Sequence, residues 1–415
     1  MLSYEGFAGE IVNIAAMLLG VFCLMAVGLD TFQTIILPRR PSGHIRITRL
    51  FFIITWGPWS AFAKRVKDKN FREEFYGFYG PLSLILLLAL WALLLMTGFA
   101  LLFFAIGSPF QDMTRAPASD ILQHFRSDVY VSGTTLFTLG LGDVLPHSVI
   151  ARALIICEAG VGLGFVALVI GYLPVLYQAF SRREVAVALL DARAGSPPTA
   201  SELLRRHGFD GGEEALVVLL TEWERWAAEL LESHVSYPIL CYYRSQHDNQ
   251  SWLSALIAIL DACSLLITSL QGTPVRQAQL TFAIARHALV DLVLIFHLKE
   301  RAIWQEQLKI DRLPSSDFRR LCGVLAKTDI ELCGDPASED RLREIRALYE
   351  PYAHALADYL GMPVANWIAE PKATDQWTKV AGLRSIAEGV RRKANGSTPL
   401  PPQSPPAPLH QEHHD

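Results

Sequence analysis

The sequence predicts an all-α membrane protein: three transmembrane helices, a re-entrant loop between the second and third, and an α-helical cytosolic C-terminal domain. Three observations carry this. The long uncharged runs of the 415-residue chain gather within residues 11–180. A basic stretch separates the first two runs. A glycine-rich turn, Thr138-Leu139-Gly140-Leu141-Gly142-Asp143, separates the last two.

Ile11–Leu29 and Pro81–Ile106 carry no charge, and Ala153–Phe180 carries only Glu158. At 1.5 Å per residue such helices reach roughly 28–42 Å, against a hydrocarbon core of about 30 Å. The first run is preceded by Glu5 and Glu10 without Lys or Arg, which argues against a cleaved leader. Residues 38–80 hold nine Lys and Arg against three acids. The positive-inside rule places them in the cytoplasm, so the N-terminus lies outside and the third run ends inside at Arg182-Arg183. Within this stretch Leu50–Phe62 is too short to span and is interrupted by Gly57-Pro58. It reads as a helix at the inner membrane surface, with Arg46 and Arg49 on lipid phosphates.

A net charge of −4 gives no global sign of nucleic-acid binding. The six cysteines are scattered, with no CxxC pair, which argues against a disulfide framework and against a zinc site. No catalytic triad, phosphate loop or HExxH pattern is present, so the expectation is a protein that is not an enzyme.

The loop 107–150 begins and ends outside, long enough to dip into the membrane and return. Lipid forbids exposed loop backbone unless protein buries it or it lines a water-filled path. Asp128–Phe137 reads as the descending helix, capped by Ser127 or Asp128. For successive carbonyls to face one axis, alternate residues take left-handed dihedrals, which glycine adopts cheaply. Gly140 and Gly142 then give a ladder of carbonyls to replace a cation's water, and the Thr138 hydroxyl adds a lower ring. One chain supplies a quarter of each ring.

Here the chain resembles the pore-loop potassium channels, whose filter is of the type TVGYGD. It reads TLGLGD, with Thr134-Thr135 at the foot of the pore helix, and it keeps the order span, pore helix, filter, span over about residues 81–182. The resemblance implies a homotetramer passing potassium passively, with K+ at Thr138, Leu139, Gly140 and Leu141, and Gly142 closing the filter. It implies no cofactor beyond the permeant ion. Asp143 is expected at the outer mouth. Two departures stand out. Leu141 replaces an aromatic residue and cannot donate to the pore helix, and Tyr130-Val131 stands where paired tryptophans are common. A sodium-permeable or non-selective pore and a non-conducting membrane scaffold are the alternatives.

In the third run Gly160, Gly162 and Gly164 suit either a hinge or close helix packing. Pro174 lacks an N–H and is expected to kink the cytoplasmic mouth. Glu158 suits either the ion cavity or a place behind the filter, hydrogen-bonded to Ser132 or Thr134.

Four domains follow: 1–80, an N-terminal helix and basic segment; 81–183, the pore; 184–395, a helical cytosolic domain; 396–415, a disordered proline-rich tail. The helical domain opens with a capping box, Thr199 to Glu202, and a stop at Gly208. It shows no dinucleotide fingerprint, and its ligand is not readable. Ser251–Leu270 and Leu280–Leu298 read as a buried helical pair or a further membrane hairpin. His287, Asp291 and Asp261 there suit a metal site or, with Arg286, a salt-bridged core. The location expected is a bacterial inner membrane, with lipid and further copies of the chain as partners.

Overall fold

The computed structural model describes residues 7–37, 46–112, 121–208, 212–246, 250–269, 273–308, 311–326, 328 and 336–369. The proline-rich tail, the end of the helical domain and Cys333 lie outside the described residues. The membrane part begins with α1 (Phe7–Thr31), closed by a π-helical turn at Phe32–Ile36, followed by α2 (Ile47–Arg65) and α3 (Lys69–Ala105). A short strand β1 (Phe110–Asp112), α4 (Ile121–Leu136), strand β2 (Val144–Pro146) and the long α5 (Val149–Ala194) complete it.

α1 packs along α3 through small residues. A Cβ on Gly20 would lie 2.8 Å from the Gly98 carbonyl oxygen, so the two backbones touch as membrane helices do where neither presents a side chain. Val27 of α1 and Leu87, Trp91 and Leu95 of α3 fill the seam beside this contact, with Leu136 of α4.

α2 is one helix through Gly57-Pro58, which the sequence reading took as a break. It lies antiparallel on α3: Trp59 stacks on Phe75 with centroids 4.2 Å apart, and Thr55 hydrogen-bonds Tyr79 at 2.9 Å. This packing supports the helix where Pro58 removes a bond. Leu50, Ile53, Ile54 and Phe62 form its exposed apolar stripe. Arg46, expected on lipid phosphate, turns inward instead. Its Nη2 donates to Thr34 Oγ1 at 2.8 Å and its Nε lies 3.7 Å from Asp30 Oδ1.

The remaining described residues form a helical bundle: α6 (Ala200–His207), α7 (Gly212–Ser236), a 3-10 segment (Pro238–Tyr242), α8 (Trp252–Ser269), α9 (Thr273–Ile295), α10 (Lys299–Leu308), α11 (Ser315–Leu325), α12 (Pro336–Ala347) and α13 (Glu350–Leu360). Thr199 caps α6 by accepting from the Glu202 amide at 3.3 Å. The Glu202 side chain bonds Arg205 and Arg206 rather than returning to the cap. One apolar core joins these helices to Trp56, Tyr76 and Tyr79 of the α2–α3 hairpin and to Val187, Leu190 and Ala194 of α5. The boundaries expected at 80/81 and 183/184 therefore fall inside continuous helices.

α8 is the bundle's centre, with Leu256, Leu260 and Leu266 fully buried, each side chain contributing about 1.5–3 kcal/mol. α9 has the length and apolarity of a membrane span. It buries Ala285, Leu289 and Leu292 in the core shared with α7 and α8. The salt-bridged cluster is not the one expected. Arg286 donates to the Leu348 carbonyl at 2.8 Å, and His287 meets Asp291 at 3.4 Å. Asp261 accepts from Arg312 at 2.7 and 3.1 Å and from the Tyr349 hydroxyl. Arg312 and Arg346 share Glu350. A buried carboxylate needs such pairing, since removing one partner costs about 3–5 kcal/mol.

Candidate functional site

The loop between α3 and α5 is pinned at its base before anything functional is placed on it. α3 ends in a turn at Gly107 and Ser108, with φ of +88° and +49°. β1 and β2 then pair antiparallel, Phe110 opposite Pro146 and Asp112 opposite Val144. This ladder brings the loop's two arms together and was not foreseen in the sequence.

α4 is already helical at Ile121, six residues before Ser127 and seven before Asp128, the two expected caps. Asp128 is no cap: it is buried within the helix and accepts from Ser108 Oγ at 2.6 Å. Two glycines seat the helix between its neighbours. Gly133 leaves room for the Met96 sulfur of α3, and Gly162 lets α5 press on the last turn. A Cβ at Gly162 would lie 2.0 Å from the Leu136 carbonyl oxygen. That atom is backbone and cannot rotate away. Gly162→Ala is therefore expected to lower thermal stability by about 3 kcal/mol or more. Gly160→Ala, where a Cβ meets nothing within 4 Å, is the control; equal melting temperatures of the two purified variants would contradict this. Of the two readings of these glycines, hinge or close packing, Gly162 takes the second. α5 runs unbroken through Gly160, Gly164 and Pro174.

After Leu136 the chain reverses on the free carbonyls of the helix end. The Thr138 amide donates to Thr135 O at 2.9 Å and the Leu139 amide to Thr134 O at 2.7 Å. The Thr134 hydroxyl turns back to Val131 O at 3.0 Å. The residues that follow alternate. Thr138, Gly140 and Gly142 have φ of +57°, +55° and +75°. Leu139 and Leu141 between them point outward, 63% and 62% exposed in the single chain. For a β-branched residue such as Thr138 this dihedral is strained, by about 1–3 kcal/mol. Alternation of this kind is the backbone pattern that lets successive carbonyls turn to one side.

Leu141 was expected to leave the turn without a tie to the short helix. The tie comes two residues later: the Tyr130 hydroxyl donates to Asp143 Oδ2 at 2.7 Å. Behind the turn, Glu158 of α5 and Ser132 of α4 are both fully buried and hydrogen-bonded to each other. Ser132 Oγ also lies 2.8 Å from the Met96 carbonyl. One hydroxyl proton thus faces two acceptors.

Two further polar centres escaped the sequence. Asp30, at the end of α1, accepts from Trp91 Nε1 at 3.0 Å and from the Thr48 amide and hydroxyl at 3.0 and 2.6 Å, fastening three helices. Its signal was a lone acid closing an uncharged run. Arg183, where α5 leaves the apolar run, is buried and faces His234 of α7 at 3.2 Å. Burial first, and then the Arg183 charge, hold the His234 imidazole well below its usual range, so the ring is neutral at pH 7. An unfolded histidine gains its proton below about 6.5 while the folded one does not. Stability present above that pH is lost as pH falls, by up to about 1.4 kcal/mol per unit. Denaturant titrations between pH 7.5 and 5.5 should show a steeper loss for the wild type than for His234→Gln.

A long helix, a short helix, a glycine turn and a second long helix follow one another in this order. Residues 90–178, which run from α3 through the turn into α5, match the family described as ion channel, of the two-transmembrane pore type. The uncharacterized membrane protein YdjJ of Bacillus subtilis (strain 168) is similar over 184 residues at 28% identity, covering 44% of this chain and 51% of that protein. The chain thus spans about half the length of that curated relative. No solved structure matches it.

Proposed function

We propose that four copies of this chain form a potassium-selective pore in a bacterial inner membrane. α1, α3 and α5 span the bilayer, α4 re-enters it, the N-terminus lies outside and the bundle lies in the cytoplasm. α9 stays with the bundle, since Arg286, His287 and Asp291 would each be costly in lipid. The observation that carries the reading is the alternation of positive φ at Thr138, Gly140 and Gly142. Carbonyls of Thr138, Leu139, Gly140 and Leu141 from four chains then replace the ion's hydration shell. Gly142 closes the filter, and Asp143, held by Tyr130, stands at the mouth. Thr134 and Thr135 supply the helix-end carbonyls on which the turn rests. Gly160, Gly164 and Pro174 belong to the inner helix that gates. Passage is passive, with no covalent step.

Glu158 stands behind the filter as a neutral acid. When it carries a proton it donates to Ser132 Oγ, which leaves the Ser132 proton for Met96 O, and both short contacts are satisfied together.

Reversal potentials in planar bilayers under opposed potassium and sodium gradients test the function. The expected value lies near the potassium equilibrium potential. Leu141, which lacks the aromatic hydroxyl of the family pattern, favours the second reading, a sodium-permeable pore, and a potential indifferent to exchanging the two ions would establish it. Identical flat traces from the wild type and Gly140→Ala would leave a membrane scaffold instead.

A further inference from the structure

We propose that Arg183 is the positioning residue that couples the cytosolic bundle to the inner helix, by pinning residues 237–243 as a wedge between α3 and α5. This rests on the channel reading and adds to it the element through which the gate is held.

The wedge is apolar and lies where the two helices leave the bilayer. Ile239 and Leu240 of the 3-10 segment are buried in one cluster with Leu84 of α3 and Tyr172, Leu176, Ala179 and Phe180 of α5. Aromatic contacts flank them. Tyr172 meets Tyr237 with ring centroids 5.7 Å apart, and Phe180 meets Tyr243 at 5.6 Å. On the α3 side Gly80 makes the room, because a Cβ there would lie 2.8 Å from the Tyr243 ring. The segment thus follows directly from α7 but packs between helices of the pore.

Arg183 closes the wedge from below. Its Nη1 donates to Leu240 O at 2.9 Å and its Nη2 to Tyr243 O at 2.8 Å, so one planar fork grips the segment at two points. Nε donates to Glu184 on its own helix at 2.8 Å, and Nη1 faces His234 of α7. The guanidinium lies over Phe180 and Trp252, 5.2 and 5.6 Å from the ring centroids. A single side chain on the inner helix therefore touches α7, the wedge and α8. Leu176 and Arg183 are seven residues apart, about 10 Å along the helix, so the grip covers the last two turns of α5 in the bilayer.

A buried ion pair is seldom kept for stability, since well-packed apolar residues often do as well or better. What the guanidinium adds is geometry: a fixed fork for two carbonyls, which the single ammonium of lysine cannot reproduce. For α5 to swing away from α3, Ile239 and Leu240 must withdraw or the fork must open. Either event moves α7 and α8, so the bundle's conformation and the pore's are linked in both directions.

The test uses full-length protein in lipid vesicles, comparing the wild type with Arg183→Gln, Arg183→Lys and Ile239→Ala. Single-channel recording reads open probability and unitary conductance, and hydrogen exchange reads residues 170–183 separately from α8. The expected result for Arg183→Gln is a change in open probability of about tenfold at unchanged unitary conductance, with faster exchange over 170–183 and unaltered exchange in α8. Arg183→Lys recovers only part of the effect. Ile239→Ala repeats it without touching the charge and serves if Arg183→Gln does not fold. Unchanged open probability and exchange in a folded variant overturn the proposal. So does faster exchange in α8 matching that of 170–183, which would make Arg183 a general stability contact. Should the wild type carry no current, the channel reading fails, while the exchange comparison still decides whether the wedge holds α5.

Discussion

Gly140→Ala is expected to abolish potassium current while leaving the helical fold intact. Gly140 has a φ of +55°, and a Cβ there meets nothing within 4 Å in the single chain, so strain rather than a clash decides. Alanine in the left-handed region costs about 1–2 kcal/mol. That is small beside the burial that holds α3, α4 and α5 together, so circular dichroism should show an unchanged melting curve to within a few degrees. A backbone that relaxes to negative φ, however, rotates the neighbouring carbonyl away from the shared axis in all four chains at once. Each site then loses a ring of oxygens, and the ion keeps water it cannot carry through. Wild-type current from Gly140→Ala would remove the carbonyl ladder from the account of this protein.

Glu158 is expected to tolerate conversion to glutamine and not to alanine. A glutamine amide donates to Ser132 Oγ as the neutral acid does, and Ser132 keeps its bond to the Met96 carbonyl. Alanine leaves the buried Ser132 hydroxyl short of a partner and opens a cavity beside the turn, at a combined cost of about 2–5 kcal/mol. Single-channel recording should find Glu158→Gln close to wild type in open probability and selectivity. Glu158→Ala should give brief openings, with potassium over sodium selectivity reduced at least tenfold, the change in equilibrium that about 1.4 kcal/mol produces. If glutamine behaves as alanine does, an ionised carboxylate is required there and the proton accounting is wrong.

The parts of this molecule that were legible in sequence are those set by local, one-dimensional physics. Run length and the placement of Lys and Arg located α1, α3 and α5, and the spacing of Gly140 and Gly142 located the turn. The misreadings come from residues whose meaning depends on a distant partner. Asp128 has the chemistry of a helix cap and also of a buried acceptor, and only the fold brings Ser108 to it. Pro58 breaks an isolated helix but not one braced by Phe75 and Tyr79. Asp261 pairs with Arg312, 51 positions away, rather than with the nearer Arg286. Arg183 counted as one more positive charge at the inner face, since nothing near it in sequence says that Leu240 and Tyr243 would close around it.

α3 is longer than a bilayer crossing requires. Its 37 residues measure about 55 Å, some 25 Å more than a hydrocarbon core of about 30 Å. The same unbroken rod that exposes Ile85 and Leu86 carries Tyr76 and Tyr79, which are embedded in the bundle core. A lever of this length converts a few degrees of tilt, such as bilayer thinning imposes, into ångströms of travel at its lower end. The bundle core and the apolar end of α3 therefore share one rigid element, with no linker between them to absorb a tilt.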